Sequence, residues 1–387
     1  MKESESVGAR VKRYRNLRGM DQHQLAAKSG VSYSMVTKVE SGHASPSAFT
    51  VGKIAAALNI DSSRLYADEE HEQTLDIVPV LRRTLFAADL LPDDLEPEPL
   101  DQLRRKVEQV GVWRRGTQYK KIGEVLPDLV EHLLLAGQQE GEPAYALLVD
   151  AYRAANSLAH KLGYIDLSTV ATERMESAAV KSGDPLRVAS VSYLKAATLA
   201  RLGEGKHALR LLDRAMAQIE HLVGNDPVAA AVYSTLHMRA GTIAATLADA
   251  DASRSHLAEA ARLAATFPDQ VVYDTVVGAT NVKLFQIAAE TDLGNAERAV
   301  EISLGVQLPK GYAKERQTYF WLDSARAHLL AGEPDQAIEA LLESRAVAPE
   351  HFRSSPTVKA TVRAAADQQR VATDTLRSLA NSANIQD

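Results

Sequence analysis

One stretch of the chain decides the fold of its N-terminal region: Asp21-Gln22-His23-Gln24-Leu25-Ala26-Ala27-Lys28-Ser29-Gly30-Val31-Ser32, continued by Met35-Val36-Thr37-Lys38-Val39-Glu40-Ser41-Gly42. It predicts two short helices hinged at Gly30, with Asp21 capping the first helix and Ser32 the second, each through a side-chain oxygen that accepts a backbone N–H. Apolar residues at helical spacing would lock the two helices together and leave a polar set facing outward. An outward polar set on the second helix is what reading a DNA major groove requires. The stretch therefore predicts a DNA-binding domain.

A family resemblance becomes specific around this stretch. The segment from about Val7 to Tyr66 resembles a lambda-repressor-like helix-turn-helix domain of the xenobiotic-response-element type. The matching features are Gln22-x-x-Leu-Ala, Gly30-Val-Ser, Val36-x-x-Val-Glu-Ser-Gly, Pro46-Ser47 and Ile54-Ala55-x-x-Leu58. The resemblance implies a five-helix DNA-binding domain. Asp21 departs from the family, which usually has Ser or Thr there, and it adds a negative charge near the expected phosphate path.

The outward polar residues and the basic residues of the first helix are the predicted DNA contacts. We expect Gln22 to fix the recognition helix on the DNA backbone or a base edge, and Thr37 to lie near the backbone. Arg13 and Arg15 belong to a basic cluster in the first helix and are expected to anchor phosphates, although a solvated charged face is the alternative. The predicted DNA-binding set, including the base- and phosphate-contacting residues of the second helix, is Arg13, Arg15, Gln22, Ser32, Tyr33, Ser34, Thr37 and Lys38.

The charge of the chain is distributed unevenly along its 387 residues. The net charge is −6, yet residues 1–66 carry ten basic and five acidic residues, whereas the rest carries 34 basic and 45 acidic residues. A basic N-terminal region attracts phosphates, while an acidic remainder repels them. We therefore expect contact with double-stranded DNA to be confined to the N-terminal domain.

Composition also excludes several classes of protein. The chain has no cysteine, which excludes disulfides and thiolate metal sites and fits a reducing cytoplasm. The N-terminus lacks an apolar signal core, and no apolar run reaches the roughly 18 residues that a membrane span needs. A cytoplasmic protein with no membrane partner is the expectation.

Three regions follow from the pattern of charge and periodicity. Residues 1–67 form the predicted helix-turn-helix domain, called the head below, and the acidic stretch at residues 68–77 is the predicted linker. Residues 78–387, called the repeat domain, show apolar residues at helical spacing punctuated by turn signals such as Asn225-Asp226-Pro227, so everything there is predicted to be helical. The predicted fold class is all-α: a five-helix head followed by an α-solenoid.

A repeat emerges in the repeat domain when its small residues are aligned. Ala196, Ala208 and Ala215 are spaced by 12 and 7 residues, and Ala325, Ala337 and Ser344 show the same spacing. Three looser units begin at Asn156, Gly241 and Ile287. Small residues let two antiparallel helices cross closely, and these units resemble tetratricopeptide repeats, most clearly at Trp321–Pro349. The resemblance implies stacked helix hairpins that form a right-handed superhelix with a concave inner wall.

The concave wall is the predicted place for a ligand. An inward Asn can pair with a peptide backbone through its donor and its acceptor, and an inward Arg can hold a carboxylate with two hydrogen bonds. Ordinary packing or solvation is the alternative for any single position. The predicted ligand-binding residues are Arg153, Tyr193, Asn281, Tyr319 and Arg326.

The sequence contains no pattern that supports a cofactor site or a metal site. Gly203-Glu204-Gly205-Lys206-His207-Ala208 resembles a dinucleotide fingerprint, but a predicted helix precedes it where a strand is required, so it is predicted to be a turn between helices. The eleven histidines never form a His-Glu-x-x-His pattern. We expect no catalysis, no cofactor and no metal.

The order of the domains suggests a function. A helix-turn-helix head before a tetratricopeptide-like domain resembles bacterial cytoplasmic regulators, which include peptide-pheromone receptors. The resemblance implies a homodimeric transcription factor that binds an operator and is controlled by a peptide, a small molecule or a partner protein in the repeat domain. Two alternatives stay open: an interaction scaffold or anti-activator in which the repeat domain does the work, and an enzyme built on helical repeats.

Overall fold

The structure is a computed structural model that describes residues 6–66, 77–87, 90–369 and 373–385. The predicted linker at 68–77 lies outside the described residues except for its last residue, which begins a helix. Residues 6–66 of the head form four α-helices and a closing 3-10 helix: α1 Val7–Leu17, α2 Gln22–Ser29, α3 Tyr33–Glu40, α4 Ala48–Leu58 and the 3-10 helix Ser62–Leu65. The fifth element of the head is therefore a 3-10 turn rather than an α-helix.

The caps that the sequence predicts in the head are confirmed. Asp21 accepts a hydrogen bond from the Gln24 backbone at 2.7 Å, and the Gln24 side chain accepts one from the Asp21 backbone at 2.8 Å, which completes a capping box. Ser32 accepts from the Met35 backbone at 3.2 Å and caps α3. Gly30 has a φ of 62°, the left-handed conformation that glycine adopts without strain, and it ends α2.

Helices also account for nearly all of the described repeat domain. Their bounds are α5 Ile77–Phe86, α6 Leu100–Arg115, α7 Tyr119–Glu140, α8 Glu142–Lys161, α9 Ile165–Lys181, α10 Pro185–Arg201, α11 Gly205–Ile219, α12 Pro227–Thr246, α13 Ala250–Ala264, α14 Ala279–Leu293, α15 Ala296–Leu304, α16 Lys314–Ala331, α17 Pro334–Val347, α18 Pro349–Ser354, α19 Pro356–Gln368 and α20 Asp374–Ser382, with a 3-10 turn at Glu220–Leu222. The all-α fold class is confirmed. None of the described helices combines the length and the apolar character needed to cross a membrane.

Small residues pack the predicted helix hairpins as expected. Neighbouring helices pair as α8 with α9, α10 with α11, α12 with α13, α14 with α15 and α16 with α17. Ala196 and Ala208 are fully buried where α10 meets α11, and Ala325 and Ala337 are fully buried where α16 meets α17. At Gly241 an added Cβ would lie 2.6 Å from Leu257 Cγ, so only glycine allows α12 and α13 to approach this closely.

One prediction about the repeat domain was wrong. Between α13 and α14 the chain forms a small antiparallel hairpin, with β1 at Gln270–Val272 and β2 at Thr275–Val277. Tyr273 and Asp274 make its two-residue turn, and both have positive φ values, 42° and 54°, which a tight hairpin turn of this length requires. The β-branched residues on both sides favour extended backbone, and this local preference overrides the helical periodicity around it.

Candidate functional site

The outer face of α3 is open to solvent. Met35, Val36 and Val39 are buried against the rest of the head, whereas Tyr33 is 44% exposed and Ser34 is exposed. Helix α3 packs against α1 and α2 through its apolar side. The polar residues at its N-terminal end are therefore presented outward, as the sequence predicts for a recognition helix.

A ring pair that sequence reasoning missed lies beside this face. The His23 ring stacks on the Tyr33 ring with a centroid distance of 3.8 Å and an interplanar angle of 2°. His23 lies in the first turn of α2 and is exposed. The pair forms a flat surface where α2 and α3 meet. No local pattern signals this contact, because His23 and Tyr33 lie on different helices and meet only when α2 packs on α3.

Arg15 has a structural partner in the head. Its Nε donates to Glu40 Oε1 at 2.6 Å and its Nη2 to Glu40 Oε2 at 2.8 Å, while Nη1 donates to Asn16 Oδ1 at 2.9 Å and to Met20 O at 2.7 Å. The Arg15 side chain is 10% exposed and that of Glu40 only 2%. The predicted phosphate contact by Arg15 is therefore corrected: its guanidinium binds the end of α3 to α1.

The same carboxylate orients two other predicted contacts. Gln22 Nε2 donates to Glu40 Oε2 at 2.8 Å, and Thr37 Oγ1 donates to Gln22 Oε1 at 3.4 Å and to Tyr33 O at 3.0 Å. Burial acts to raise the pKa of Glu40, but the hydrogen bonds from Arg15 and Gln22 outweigh it and hold that pKa below its ordinary value. The charged Glu40 thus fixes Gln22 at the base of the recognition helix.

The basic cluster of α1 divides into two groups. Arg10 and Arg15 are buried, and Arg18 Nε donates to Leu58 O at 3.0 Å, so it caps the end of α4. Lys12 and Arg13 are exposed. The charge that α1 offers to a phosphate therefore comes from these two residues, and the prediction for Arg13 fits its position.

The opposite side of the head is docked on the repeat domain. Helix α4 packs against α10 and α12. A Cβ added to Gly52 would lie 2.1 Å from Arg201 O, and one added to Gly203 would lie 2.6 Å from Ala56 Cβ. Gly203 also has a φ of 88°. Backbone therefore meets backbone at this contact, which only glycine permits.

Polar groups join the same two domains. Lys53 Nζ donates to Gly30 O at 2.6 Å and also to Thr246 O, which links the turn before the recognition helix to the end of α12. Burial lowers the pKa of Lys53 to about 8. Ser47 Oγ donates to Asp292 Oδ2 at 2.9 Å. The head is thus held by buried hydrogen bonds as well as by close packing.

Arg326 takes part in this docking. Its Nε donates to Ser45 O at 2.9 Å, its Nη2 to Asp292 Oδ1 at 2.6 Å and its Nη1 to Asp323 Oδ1 at 2.8 Å. The side chain is 3% exposed. The prediction that Arg326 binds a ligand carboxylate is corrected, because its donors already hold two carboxylates of the repeat domain and a loop of the head.

A cavity of about 430 Å³ lies between the head and the inner wall of the repeat domain. The head contributes Phe49 and Tyr66 to its lining. The five predicted ligand-binding residues all line it: Arg153, Tyr193, Asn281, Tyr319 and Arg326. The amide nitrogen of Asn281, Nδ2, already donates to Val276 O at 2.7 Å. Its amide oxygen, Oδ1, is buried and has no hydrogen-bond donor among the described residues. Ligand binding by Arg153, Tyr193, Asn281 and Tyr319 stays a prediction.

Sequence reasoning missed several basic residues of the cavity lining, among them Arg201, Arg239 and Arg316. Arg201 lies eight residues after Tyr193 on α10, and Arg316 lies three residues before Tyr319 on α16. Such spacings place side chains on one face of a helix. The helical period around the predicted aromatic residues was therefore the signal that could have found them.

One cluster of possible metal ligands occurs among the described residues, formed by Glu98, Asp128 and His132. Lys106 Nζ donates to the two Glu98 carboxylate oxygens at 2.6 and 2.7 Å. His132 Nε2 lies 3.5 Å from Glu98 Oε1, and His132 Nδ1 lies 2.9 Å from Asp128 O. Because Lys106 already neutralises the carboxylate, hydrogen bonds and an ion pair account for this cluster.

Comparison with known sequences matches the head. Residues 11–65 match the sequence model of the helix-turn-helix family. The HTH-type transcriptional regulator SlrR of Bacillus subtilis (strain 168) is 36% identical over 64 residues, which are 16% of this chain and 42% of that protein. The match therefore spans less than half the length of this curated relative.

The solved structures that match the chain resemble it only weakly, both in sequence and in overall structure. Bacillus thuringiensis PlcR, in complex with the peptide PapR7 and DNA, is 16% identical with a TM-score of 0.32 and covers 89% of this chain and 94% of its own. BtubC (BKLC) from P. vanneervenii is 14% identical with a TM-score of 0.36, covering 63% and 90%. The human IFIT1 dimer with m7Gppp-AAAA is 15% identical with a TM-score of 0.33, covering 80% and 63%. Scores below 0.5 do not establish a shared arrangement, so nothing about those ligands transfers.

The sequence match and the local geometry agree on one part of the molecule. The matched segment covers the capped helices α2 and α3 and the open face that α3 presents. Residues 11–65 therefore match the helix-turn-helix model in sequence and form the capped helices of such a domain, and helix hairpins follow them along the chain.

Proposed function

We propose that this chain is a sequence-specific DNA-binding transcriptional regulator that reads its operator with α3. The observation that carries the proposal is that one side of the head is buried against the repeat domain while the other side is exposed. Gly52 and Lys53 of α4 are buried against the repeat domain, whereas Tyr33 and Ser34 of α3 are exposed. Docking thus fixes the head and leaves its recognition face uncovered.

The position of each side chain supports its proposed contact. Ser32, Tyr33 and Ser34 lie at the N-terminal end of α3, the part of a recognition helix that contacts base edges. Lys38 and Thr37 lie one turn further along, towards the DNA backbone. Arg13, together with Lys12, supplies exposed charge from α1 for phosphates. Gln22 is held at the start of α2 by Glu40, where it contacts the backbone or a base edge. Arg15 positions this set through Glu40 and contacts no DNA.

The regulator is proposed to act as a homodimer. One recognition helix reads only a few base pairs, while two heads one helical turn apart double the contacts and the specificity. Control comes from a ligand in the cavity, because the head itself contributes Phe49 and Tyr66 to the cavity wall. A ligand that binds one arrangement of head and repeat domain more tightly shifts the population of that arrangement. The spacing of the two heads would change with it.

The test is a binding measurement on the full chain with selected and random duplexes. Operators are first selected from random duplex DNA, and fluorescence anisotropy then gives affinities at several salt concentrations. The double variant Tyr33→Ala/Ser34→Ala should lose about 10- to 100-fold in affinity for the selected duplex and little for random DNA, because base contacts carry about 1–3 kcal/mol each. Arg13→Gln should weaken binding to both duplexes equally and reduce the salt slope by about one.

A matched control keeps this test specific. Arg210→Gln removes an exposed arginine from the outer helix α11 and should leave both affinities unchanged. Equal losses on selected and random DNA for the Tyr33/Ser34 variant would contradict the assignment of the recognition face. If selection enriches no sequence at all, the interaction-scaffold alternative replaces the regulator.

A further inference from the structure

The carboxylates that line the cavity are already neutralised by cations. Among the described residues, the acidic residues of the lining are Asp274, Asp292, Glu315 and Asp323. Asp292 and Asp323 pair with Arg326, as described above. Asp274 accepts from Arg114 Nε at 2.6 Å and from Arg115 Nη1, and Glu315 accepts from Arg114 Nη1 at 2.8 Å and from Lys161 Nζ. Each of the four carboxylates is already paired, so none is available as the counter-ion of another cation in the cavity.

Several guanidinium groups in the same cavity have no such partner. Arg201, Arg239 and Arg316 form no ion pair with any described carboxylate, and the Nε of each is buried without a hydrogen-bond acceptor. Arg201 is 8% exposed, and its Nη2 reaches only two hydroxyl groups, Thr198 Oγ1 at 3.0 Å and Ser168 Oγ at 3.4 Å. A buried cation without a counter-ion costs free energy that some other interaction must offset.

Arg153 is a fourth buried cation of the cavity, and its only ion pair with a described carboxylate is long and shared. Its nearest described carboxylate oxygen is Asp274 Oδ2, 3.8 Å from Nε, and Arg114 already holds that oxygen at 2.6 Å. Burial and then repulsion from Arg114 lower the pKa of Arg153 to about 9. Burial and then repulsion from Arg239 lower the pKa of Arg201 to about 10. The protein thus brings cations together at a cost in the absence of an anion.

Aromatic rings fix how two of these groups face the cavity. The guanidinium carbon of Arg239 lies 4.4 Å from the Tyr193 ring centroid and 5.5 Å from that of Phe49 in the head. The guanidinium carbon of Arg316 lies 4.9 Å from the Tyr319 ring centroid. Stacking occupies the faces of a guanidinium and leaves its in-plane N–H groups available to an acceptor. The rings therefore preorganise these donors.

We propose that the cavity between the head and the repeat domain binds a compact small molecule with two negative charges, held by Arg153, Arg201, Arg239 and Arg316. The inference rests on the proposed function, for which it names the chemical class of the effector: a phosphate ester or a dicarboxylate. A volume of about 430 Å³ suits a small molecule. Guanidinium groups bind carboxylate and phosphate through paired N–H donors. Phe49 of α4 lies beside Arg239, with its ring centroid 5.5 Å from the guanidinium carbon, so a bound anion would lie next to a side chain of the head.

The experiment measures the thermal stability of the full chain with defined anions. The protein is dialysed into chloride buffer, and its Tm is recorded against inorganic pyrophosphate in one arm and succinate in the other, with potassium chloride added to match ionic strength. A ligand that binds only the folded chain raises Tm in a saturable way. We expect at least one arm to show such a rise, and the responding arm identifies phosphate or dicarboxylate chemistry.

Variants assign the effect to the guanidinium groups. Arg239→Gln and Arg316→Gln, at half-buried positions, should each weaken the anion by about tenfold or more, the effect of one charge-assisted hydrogen bond. The exposed control Arg210→Gln should keep the wild-type response. Arg201→Met retains an apolar stem and removes an uncompensated charge, so the anion-free protein should gain about 2 °C in Tm while its response to the anion disappears.

The outcomes separate this inference from the proposed function. The inference is overturned if neither pyrophosphate nor succinate raises the Tm of the wild-type chain at matched ionic strength. It is also overturned if Arg239→Gln and Arg316→Gln respond as strongly as the wild type. In either case sequence-selective DNA binding by the same preparations would leave the regulator standing without this effector. Loss of DNA selectivity with an intact anion response would overturn the regulator instead.

Discussion

Taken as whole residues, Arg15 in the head and Arg201 in the repeat domain are buried to the same degree, each 8% exposed. Arg15 meets a carboxylate through two hydrogen bonds of 2.6 and 2.8 Å and directs its remaining donors to two further oxygens. Arg201 meets only hydroxyl groups, and its Nε has no acceptor among the described residues. Equal burial therefore conceals opposite electrostatic situations.

The difference teaches how the two domains divide their tasks. A buried ion pair with all its hydrogen bonds made fixes one geometry, which a recognition surface needs. Buried cations without counter-ions leave a cavity whose charge is balanced only when an anion arrives. Lys53 lies between these cases, because it has two carbonyl acceptors and no carboxylate within ion-pair distance among the described residues.

The largest expected difference between the two arginines is in stability, and Arg15→Met tests it. The variant leaves the Glu40 carboxylate, 2% exposed, without its main partner, and such a loss costs about 3–5 kcal/mol of unfolding free energy. Arg201→Met should show no comparable loss. The loss is measured by urea denaturation, with hydrogen exchange of the amides in residues 33–40 reporting the unfolding of α3. The double variant Arg15→Met/Glu40→Gln should recover much of the stability, and an Arg15→Met chain as stable as the wild type would contradict the assigned role.

The next prediction concerns the backbone of Arg201 rather than its side chain. Gly52→Ala places a Cβ 2.1 Å from Arg201 O, so α4 must shift, and we expect a loss of about 1–3 kcal/mol in the stability of the docked head. Hydrogen exchange of the amides in residues 48–58 reports this loss. Gly224→Ala is the matched control, because a Cβ there meets nothing within 4 Å. Equal protection in both variants would show that the head does not dock through this contact.

The smallest effect is the pH dependence that Lys53 contributes. Its pKa is about 8 in the folded chain and about 10.5 in the unfolded chain, so between these values the unfolded state binds more protons and stability rises with pH. The wild type should gain about 1 kcal/mol relative to Lys53→Met between pH 7 and pH 9. Chemical denaturation at the two pH values measures this difference. A constant difference, or one that shrinks as pH rises, would contradict the buried position of the ammonium group.

Sequence reasoning predicted well the features that depend on neighbours along the chain. The caps at Asp21 and Ser32 and the left-handed Gly30 follow from local backbone chemistry, and all three were confirmed. The helix hairpins followed from small residues at fixed spacing, such as Ala196 and Ala208, because a close crossing of two helices demands them.

The failures have a common cause in distance along the chain. Arg15 and Glu40 are 25 residues apart, and Arg326 and Ser45 are 281 apart. A cationic side chain looks the same in a sequence whether it faces phosphate, solvent or a buried carboxylate. Its partner is decided only when the elements pack, so the predicted roles of Arg15 and Arg326 had to be replaced.

The sequence by itself determined that the chain is helical, that its head is a helix-turn-helix domain and that its hairpins cross at small residues. These properties depend on backbone propensity, capping and periodicity, which act over a few residues. Only the tertiary structure decided that α4 docks on the repeat domain, that a cavity forms beneath the head and that four guanidinium groups meet there without carboxylates of their own. Those properties depend on which charges are brought together from distant parts of the chain, and no local pattern encodes that meeting.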